Sequence, residues 1–309
     1  MSVSVLGVDT SNYTTSLSVC KDGMITENVK IPLPVAKGAV GLRQSDAVFA
    51  HTKNLPEAFD RLKTDLRDIS AVGYSSRPRN IEGSYMPCFL SGAACARAVS
   101  RSLRIPEYAY SHQEGHIRAA IYSSRMPYYK EFYAYHMSGG TFELLYVTAE
   151  ETGYKTKIEG GTLDVTAGQI IDRVGVMLGL GFPCGAELEK LANRNTEKIA
   201  GIKTSVKGAY CNLSGAENTA AKLLKEGKSP EYIAAYVTET VKITADKMTQ
   251  NAMQEKELPL LFSGGVASNG VLREYFGKKY GAYFAEPAFS SDNAAGIALL
   301  AYERYINEK

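Results

Sequence analysis

Only four histidines occur in the 309 residues, and two of them, His112 and His116, stand four apart in Ser111-His112-Gln113-Glu114-Gly115-His116. On a helix, residues i and i+4 share a face, so both imidazoles could reach one metal ion. Imidazole suits zinc, iron and related ions, but a site needs at least one further ligand. The competing reading is a solvated helix face. The HExxH pattern of zinc proteases does not occur, because Glu114 falls at the wrong offset. His136 is a candidate third ligand, ending a strand-like run before a Gly-Gly turn, or else a core histidine. Asp292, in Ser290-Ser291-Asp292-Asn293, is a candidate fourth ligand or the N-cap of the last helix. His51 has no evident partner and reads as structural.

Glycine pairs supply a second kind of chemistry. Ser138-Gly139-Gly140, Gly160-Gly161-Thr162 and Ser263-Gly264-Gly265 read as turns whose N–H groups can approach a phosphate or base. Neither GxxxxGK[ST] nor GxGxxG occurs, which disfavours P-loop and Rossmann readings.

These residues must be held by elements that the patterning predicts. Val3 to Cys20 reads as strand, polar turn (Asp9 to Thr15) and strand. Val29 to Val40, with Pro32, Pro34 and Gly38, reads as an irregular connection. Ser45 to Leu66 has helical spacing, Ile69 to Tyr74 is a short strand, and Leu90 to Leu103 is an alanine-rich helix. The second half repeats the opening, with strands at Phe132 to His136 and Phe142 to Thr148 around a turn. Helices follow at Ile170 to Leu180, Ala186 to Asn193 and Pro230 to Met253, then a strand at Leu258 to Phe262 and a helix at Asp292 to Tyr305. A strand–turn–strand unit opening each half, with a late Gly-Gly beside a helix, suits the actin and sugar-kinase type of ATPase. The expected architecture is α/β, with residues 1–110 plus 288–309 as one lobe, 111–287 as the other, and a nucleotide and metal cleft between them.

Composition narrows the class. Hydrophobic residues at 45% and charged residues at 22% fit a globular enzyme and exclude a disordered or collagen-like chain. A net charge of +2 excludes a strongly basic nucleic-acid coat but not a local basic face. Five cysteines with no CxxC pair predict no disulfide framework and a reducing, cytoplasmic setting. No apolar run of about 20 residues predicts a membrane helix, and no secretory leader is expected at the N-terminus.

The motifs in order resemble those of the tRNA threonylcarbamoyltransferase family, once called O-sialoglycoprotein endopeptidases. His112 and His116 match its HxxxH pair, and Met137-Ser138-Gly139-Gly140-Thr141 its VSGGH turn. Gly161-Thr162-Leu163-Asp164 through Ala167-Gly168 and Asp172 is similar to GETLDDAAGEAFDK, and Leu178 to Gly185 to LLGLGYPGG. Gly264-Gly265-Val266-Ala267-Ser268-Asn269 resembles GGVAAN, and Ser291-Asp292-Asn293-Ala294-Ala295 resembles TDNAAM. The resemblance implies one divalent ion, iron or zinc, on His112, His116 and Asp292. His136 stands where some members place a tyrosine beside the metal and is expected as a fourth ligand. The resemblance also implies ATP or an adenylate, with Met137 to Thr141 near its phosphates, its adenosine on the late turn of Gly264 and Gly265, and Asp172, Gly185 and Asn269 as contacts of that adenosine. The implied reaction transfers threonylcarbamoyl from threonylcarbamoyl-AMP to N6 of a tRNA adenosine beside the anticodon, and the resemblance assigns no catalytic residue here.

Departures from the family pattern widen the expectation. Tyr13 and Thr14 replace the acidic pair of ETSCDET, Arg77 to Gly83 replaces a GPGL loop, Glu217 replaces the lysine of FSGLK, and Thr141 replaces a histidine. The alternatives are a divergent paralogue serving another acceptor, or a non-catalytic nucleotide-binding partner that dimerises with a true member. Arg77, Arg79, Arg97, Arg101 and Arg104 form either a phosphate-contacting strip for tRNA or a solvated basic face.

Overall fold

The computed structural model describes residues 2–11, 13–34, 42–291 and 293–309. It divides into two compact units, each built on its own sheet. The first comprises Met1–Arg125, Ala149–Lys155 and Ala288–Lys309; the second comprises Met126–Thr148 and Thr156–Pro287.

In the first unit, β1 (Ser4–Asp9) and β2 (Thr14–Lys21) form the expected antiparallel pair. The strand β3 (Met24–Pro32) adds to β2 at the edge, while β4 (Ile69–Arg77) and β5 (Glu107–Ser111) add in parallel on the other side, giving the order β3-β2-β1-β4-β5. Helices α1 (Gln44–Asp60) and α2 (Phe89–Leu103) cover one face, packing Leu55, Ala58 and Ala96 on Leu6, Val8 and Val72. Helix α3 (His112–Ser124) follows β5, and the terminal helix α10 (Ala295–Asn307) covers Val5 and Ala71 with Ile297, Leu300 and Ala301. Both faces are therefore dry, and all six residues of β1 are buried.

Glycine sets how closely α10 sits. A Cβ at Gly7 of β1 would stand 2.5 Å from the Ala294 carbonyl, and one at Gly296 would stand 1.8 Å from the Gly115 carbonyl of α3. No side chain larger than hydrogen fits these crossings.

The sequence reading needs three amendments. Val29 to Pro32, read as the start of an irregular connection, is the end of a strand, Met24–Pro32, whose polar, half-exposed pattern is that of an edge; residues 35–41 lie outside the described residues. Helix α1 stops at Asp60, short of Leu66, because the Lys63 and Thr64 N–H groups go to the Glu27 carboxylate of β3 at 2.7 and 3.0 Å. Gly160-Gly161 is not a turn but lies within a strand of the second unit.

The second sheet consists of β6 (Glu131–Met137), β7 (Phe142–Glu150), β8 (Gly153–Thr162), β9 (Ser205–Lys207), β10 (Tyr210–Asn212), β11 (Leu260–Ser263) and β12 (Tyr283–Phe284), in the order β12-β11-β6-β7-β8-β10-β9, with residues 149–155, at the end of β7 and the start of β8, counted in the first unit. A Cβ at Gly160 would stand 2.0 Å from the Ala209 carbonyl, so glycine is required there for backbone approach, not for a bend. The helices are α4 (Ala167–Met177), α5 (Gly185–Ala192), α6 (Ser214–Lys225), α7 (Pro230–Met253) and α8 (Gly270–Tyr280), followed by the short α9 (Pro287–Ser290) at the unit boundary. Helix α7 supplies the largest buried face, packing Ile233, Val237, Val241 and Met248 under the sheet. The Tyr135 hydroxyl donates to the Ala245 carbonyl of α7 at 3.0 Å, while its ring stacks on Phe262 at 4.8 Å. Among the described residues no helix is long and apolar enough to cross a membrane.

Candidate metal and nucleotide site residues

Helix α3 starts where its first turn is capped. Ser111 Oγ accepts from the Glu114 N–H at 3.2 Å and Glu114 Oε2 accepts from the Ser111 N–H at 2.8 Å, a reciprocal box. This occupies Glu114, which also accepts from the Tyr154 N–H at 3.4 Å. His112 and His116 then share one face, with ring centroids 4.3 Å apart. Both are buried, at 9% and 5% exposure, so the solvated-face reading of the pair does not hold.

The side chain that fixes His112 comes from β1. Its Nδ1 lies 2.7 Å from Asp9 Oδ2. The other carboxylate oxygen, Oδ1, accepts from Ser75 Oγ at 2.7 Å and from the Ser11 N–H at 2.9 Å. Asp9 is only 1% exposed, and these partners come from the turn after β1, from β4 and from α3. Two buried imidazoles on one face, one already tied to a carboxylate, suit a transition-metal ion both in donor type and in the support behind the donors. Within the first unit no third His, Cys, Asp or Glu among the described residues converges with the pair. Asp292 lies outside the described residues; the first turn of α10 is closed by Asn293, whose Oδ1 accepts from the Ala295 N–H at 3.0 Å. His136 belongs to the second unit, in β6, directly opposite Glu143 of β7 and beside Ser263 of β11.

In the second unit the structure brings three separate segments together. The turn after β6 is closed by the Ser138 N–H to the Thr141 carbonyl at 2.8 Å and by the Thr141 N–H to Ser138 Oγ at 3.1 Å. The start of α4 packs on it: Thr166 Oγ donates to the Gly139 carbonyl at 2.8 Å, and a Cβ at Gly168 would stand 2.5 Å from the Ser138 carbonyl. Gly264, with φ of +94°, lies against Met137, whose carbonyl would be 2.3 Å from an added Cβ. By contrast, positions 139, 140 and 265 have open space where a Cβ would be. Met137 to Thr141, Gly264 and Gly265 thus form one continuous backbone surface with bare glycines outward.

The expected adenosine residues also gather. Asp172 of α4 accepts from the Cys184 N–H at 2.8 Å, which holds the turn that leads into Gly185 at the start of α5. Gly185 and Asn269 line one pocket with Ile171, Leu188, Val241 and Val266. Its volume is about 10 Å³, room for about one water and too small to enclose a purine. Asn269 Oδ1 accepts from the Val271 and Leu272 N–H groups at 3.0 and 3.3 Å as the N-cap of α8. With its oxygen so committed, Asn269 offers a ligand its amide N–H groups.

Sequence reasoning missed Asp9 and Thr166. Asp9 ends an apolar strand and opens a polar turn, a signal that was visible; its partner on α3 was not. His51 is fully buried, with Nδ1 2.9 Å from Thr15 Oγ. The arginine strip is partly engaged: Arg77 donates to Asn80 at 2.6 Å, and Arg97 lies 3.3 Å from Glu107. Glu217 of α6, at the family's lysine position, lies 2.9 Å from Arg173 of α4.

The family model for TsaD, tRNA N6-adenosine threonylcarbamoyltransferase, matches residues 41–299. The chain is 28% identical to the tRNA N6-adenosine threonylcarbamoyltransferase of Phocaeicola vulgatus, covering 99% of this chain and 95% of that protein. It is 31% identical to that of Thermus thermophilus, covering 97% and 93%. Among solved structures, it superposes on the activator of 2-hydroxyisocaproyl-CoA dehydratase from Clostridium difficile with bound ADPNP (TM-score 0.56, 13% identity, 100% and 97% covered). It also superposes on a Streptomyces griseus ROK family glucokinase in complex with glucose and AMPPNP (0.51, 13%, 97% and 98%). These neighbours share the actin-like ATPase fold, the α/β class expected from the paired strand–turn–strand units.

Proposed function

The chain belongs to the tRNA N6-adenosine threonylcarbamoyltransferase family, and from that premise we propose that it transfers a threonylcarbamoyl group from threonylcarbamoyl-AMP to N6 of a tRNA adenosine beside the anticodon. The observation that carries this reading is the buried His112–His116 pair on α3, backed by Asp9. The proposed ligands of one iron or zinc ion are His112, His116, His136 and Asp292. Such an ion, when bound, supplies Lewis-acid polarisation of the mixed anhydride.

The chain's own residues do the positioning. Bare glycines at 139 and 140 let main-chain N–H groups approach the adenylate phosphate, and the one at 265 lets the late turn approach the adenosine. Asp172, fixed through Oδ1, accepts from a ribose hydroxyl, and Asn269 donates an amide proton to a ring nitrogen of the base. N6 of the acceptor attacks the carbamoyl carbon, the carbon–oxygen bond to the phosphate breaks, AMP leaves and one N6 proton is released. Catalysis on this reading is mostly orientation and charge stabilisation. The setting is cytoplasmic, with a partner subunit, a second copy or a relative, sharing the grip on tRNA.

Two departures favour a second reading, a carbamoyl-type transfer to another acceptor. Glu217 and Arg173 form an ion pair next to Asp172 where the family has a lysine, and Tyr13 and Thr14 stand in place of two carboxylates.

The test is transfer in vitro. Purified chain, threonylcarbamoyl-AMP and unmodified tRNA are incubated with extract of cells depleted of their own transferase, and nucleosides are analysed by mass spectrometry. Threonylcarbamoyladenosine that forms with the chain and not with His112→Ala is expected. Product formation equal to that of extract alone would overturn the reading.

A further inference from the structure

We propose that Asp9 is the positioning residue for His112, selecting the imidazole tautomer whose Nε2 carries the lone pair that binds metal; this rests on the reading of His112 and His116 as metal ligands. Oδ1 of Asp9 receives two donors, Ser75 Oγ at 2.7 Å and the Ser11 N–H at 2.9 Å. The second is a main-chain N–H, which can only donate. Oδ2 is directed to His112 Nδ1 at 2.7 Å. A carboxylate oxygen accepts and cannot donate, so the ring proton is drawn to Nδ1. In a neutral imidazole the other nitrogen is then an acceptor, the form a metal needs. Carboxylates behind metal-bound histidines fix ring orientation and raise ligand basicity in this way.

Ser11, Ser75 and His112 hold Asp9 from three segments, and it is almost fully buried. The same anchoring turns an isosteric substitution into a harmful one. In Asp9→Asn the Ser11 N–H and Ser75 Oγ hold the amide oxygen at the Oδ1 position. The amide nitrogen then takes the Oδ2 position and donates to His112 Nδ1. The ring proton must move to Nε2, and that nitrogen no longer binds metal. Asp9→Ala removes every bond but imposes no tautomer.

The proposal therefore predicts an inverted order. Zinc affinity of the full-length chain, measured by calorimetric titration with Zn²⁺, should fall about 10- to 100-fold in Asp9→Asn, and by less in Asp9→Ala. Thermal stability should fall more in Asp9→Ala, which leaves a cavity. A carboxylate that only packs would give Ala the larger loss in both measurements. Long-range ¹⁵N–¹H correlation on the metal-free chain reads the tautomer directly, with the His112 proton expected on Nδ1 in the wild type and on Nε2 in Asp9→Asn. An unchanged tautomer, or equal zinc affinity in wild type and Asp9→Asn while His112→Ala loses zinc, overturns the role of Asp9 and leaves the metal reading standing. If the wild type takes up no zinc beyond His112→Ala, the metal reading and this proposal fall together.

Discussion

Gly296→Ala is a severe test of how α3, the helix bearing both histidines, is held. The new Cβ would stand 1.8 Å from the Gly115 carbonyl oxygen, 2.7 Å from its carbon and 2.9 Å from the Ala119 nitrogen. An unstrained contact needs about 3.5 Å, so the shortfall is about 1.7 Å. All three neighbours are main-chain atoms, and no rotamer change can relieve them. Overpacking of this kind costs about 1–3 kcal/mol, and with backbone on both sides the upper end applies. That corresponds to a fall in Tm of roughly 5–10 °C. If α3 takes most of the displacement, the 2.7 Å contact of His112 with Asp9 opens past hydrogen-bond range, and zinc affinity falls as well. Differential scanning calorimetry and Zn²⁺ titration read both effects. The control is Gly277→Ala in α8, where an added Cβ meets nothing within 4 Å; helix propensity there should raise stability by up to about 1 kcal/mol. A Gly296→Ala chain that melts within a degree of wild type would refute the close crossing of α3 and α10.

Asp164 gives a pH-dependent prediction. Partial desolvation pushes its pKa up, but hydrogen bonds from Ser214, Leu213 and Val165 overcome this and hold it at about 2. A depressed folded value means that its contribution is full above about pH 4 and is lost as pH falls toward 2. Asp164→Asn should therefore cost stability at neutral pH, about 1 kcal/mol as for a lost helix cap, and the two chains should converge in acid denaturation. A constant gap down to pH 2 would count against it. Glu217→Lys breaks an exposed ion pair with Arg173 and should lower stability by no more than about 1 kcal/mol. It should strengthen adenylate binding severalfold in calorimetry if the pair faces the phosphate, and unchanged affinity would place it elsewhere. Burial pushes the Cys20 and Cys211 thiols up to about 12. Thiol titration of the native chain at pH 8 should label Cys95 first, since it alone of the five is not fully buried, and a burst of five labels without denaturant would contradict this.

Local periodicity sufficed for most of the elements. Pro230–Met253 is a helix to the residue because Ser229 caps it, Pro230 starts it and apolar residues recur at helical spacing along it. The strand–turn–strand units were legible from alternation, and His112 with His116 from a four-residue interval. Part of what escaped depends on a partner far away in the chain. β3 has a half-exposed edge pattern that alternation does not reveal, and β8 carries two glycines that look like a turn until Ala209 is placed against them. The end of α1 depends on Glu27, more than thirty residues earlier.

For the site, residue types and spacing determined which side chains could bind metal or nucleotide. Tertiary structure decided which of them are supported. Asp9 and His112 are 103 residues apart, and no periodic pattern links the end of a strand to the first turn of a distant helix. Thr166 meets Gly139, and Gly264 meets Met137, only because the sheet places β11 beside β6 and α4 beneath the turn. Spacing along a chain determines which face a residue shares with its near neighbours. Hydrogen bonds to buried carboxylates, and the backbone approaches that only glycine permits, follow from how separate segments pack.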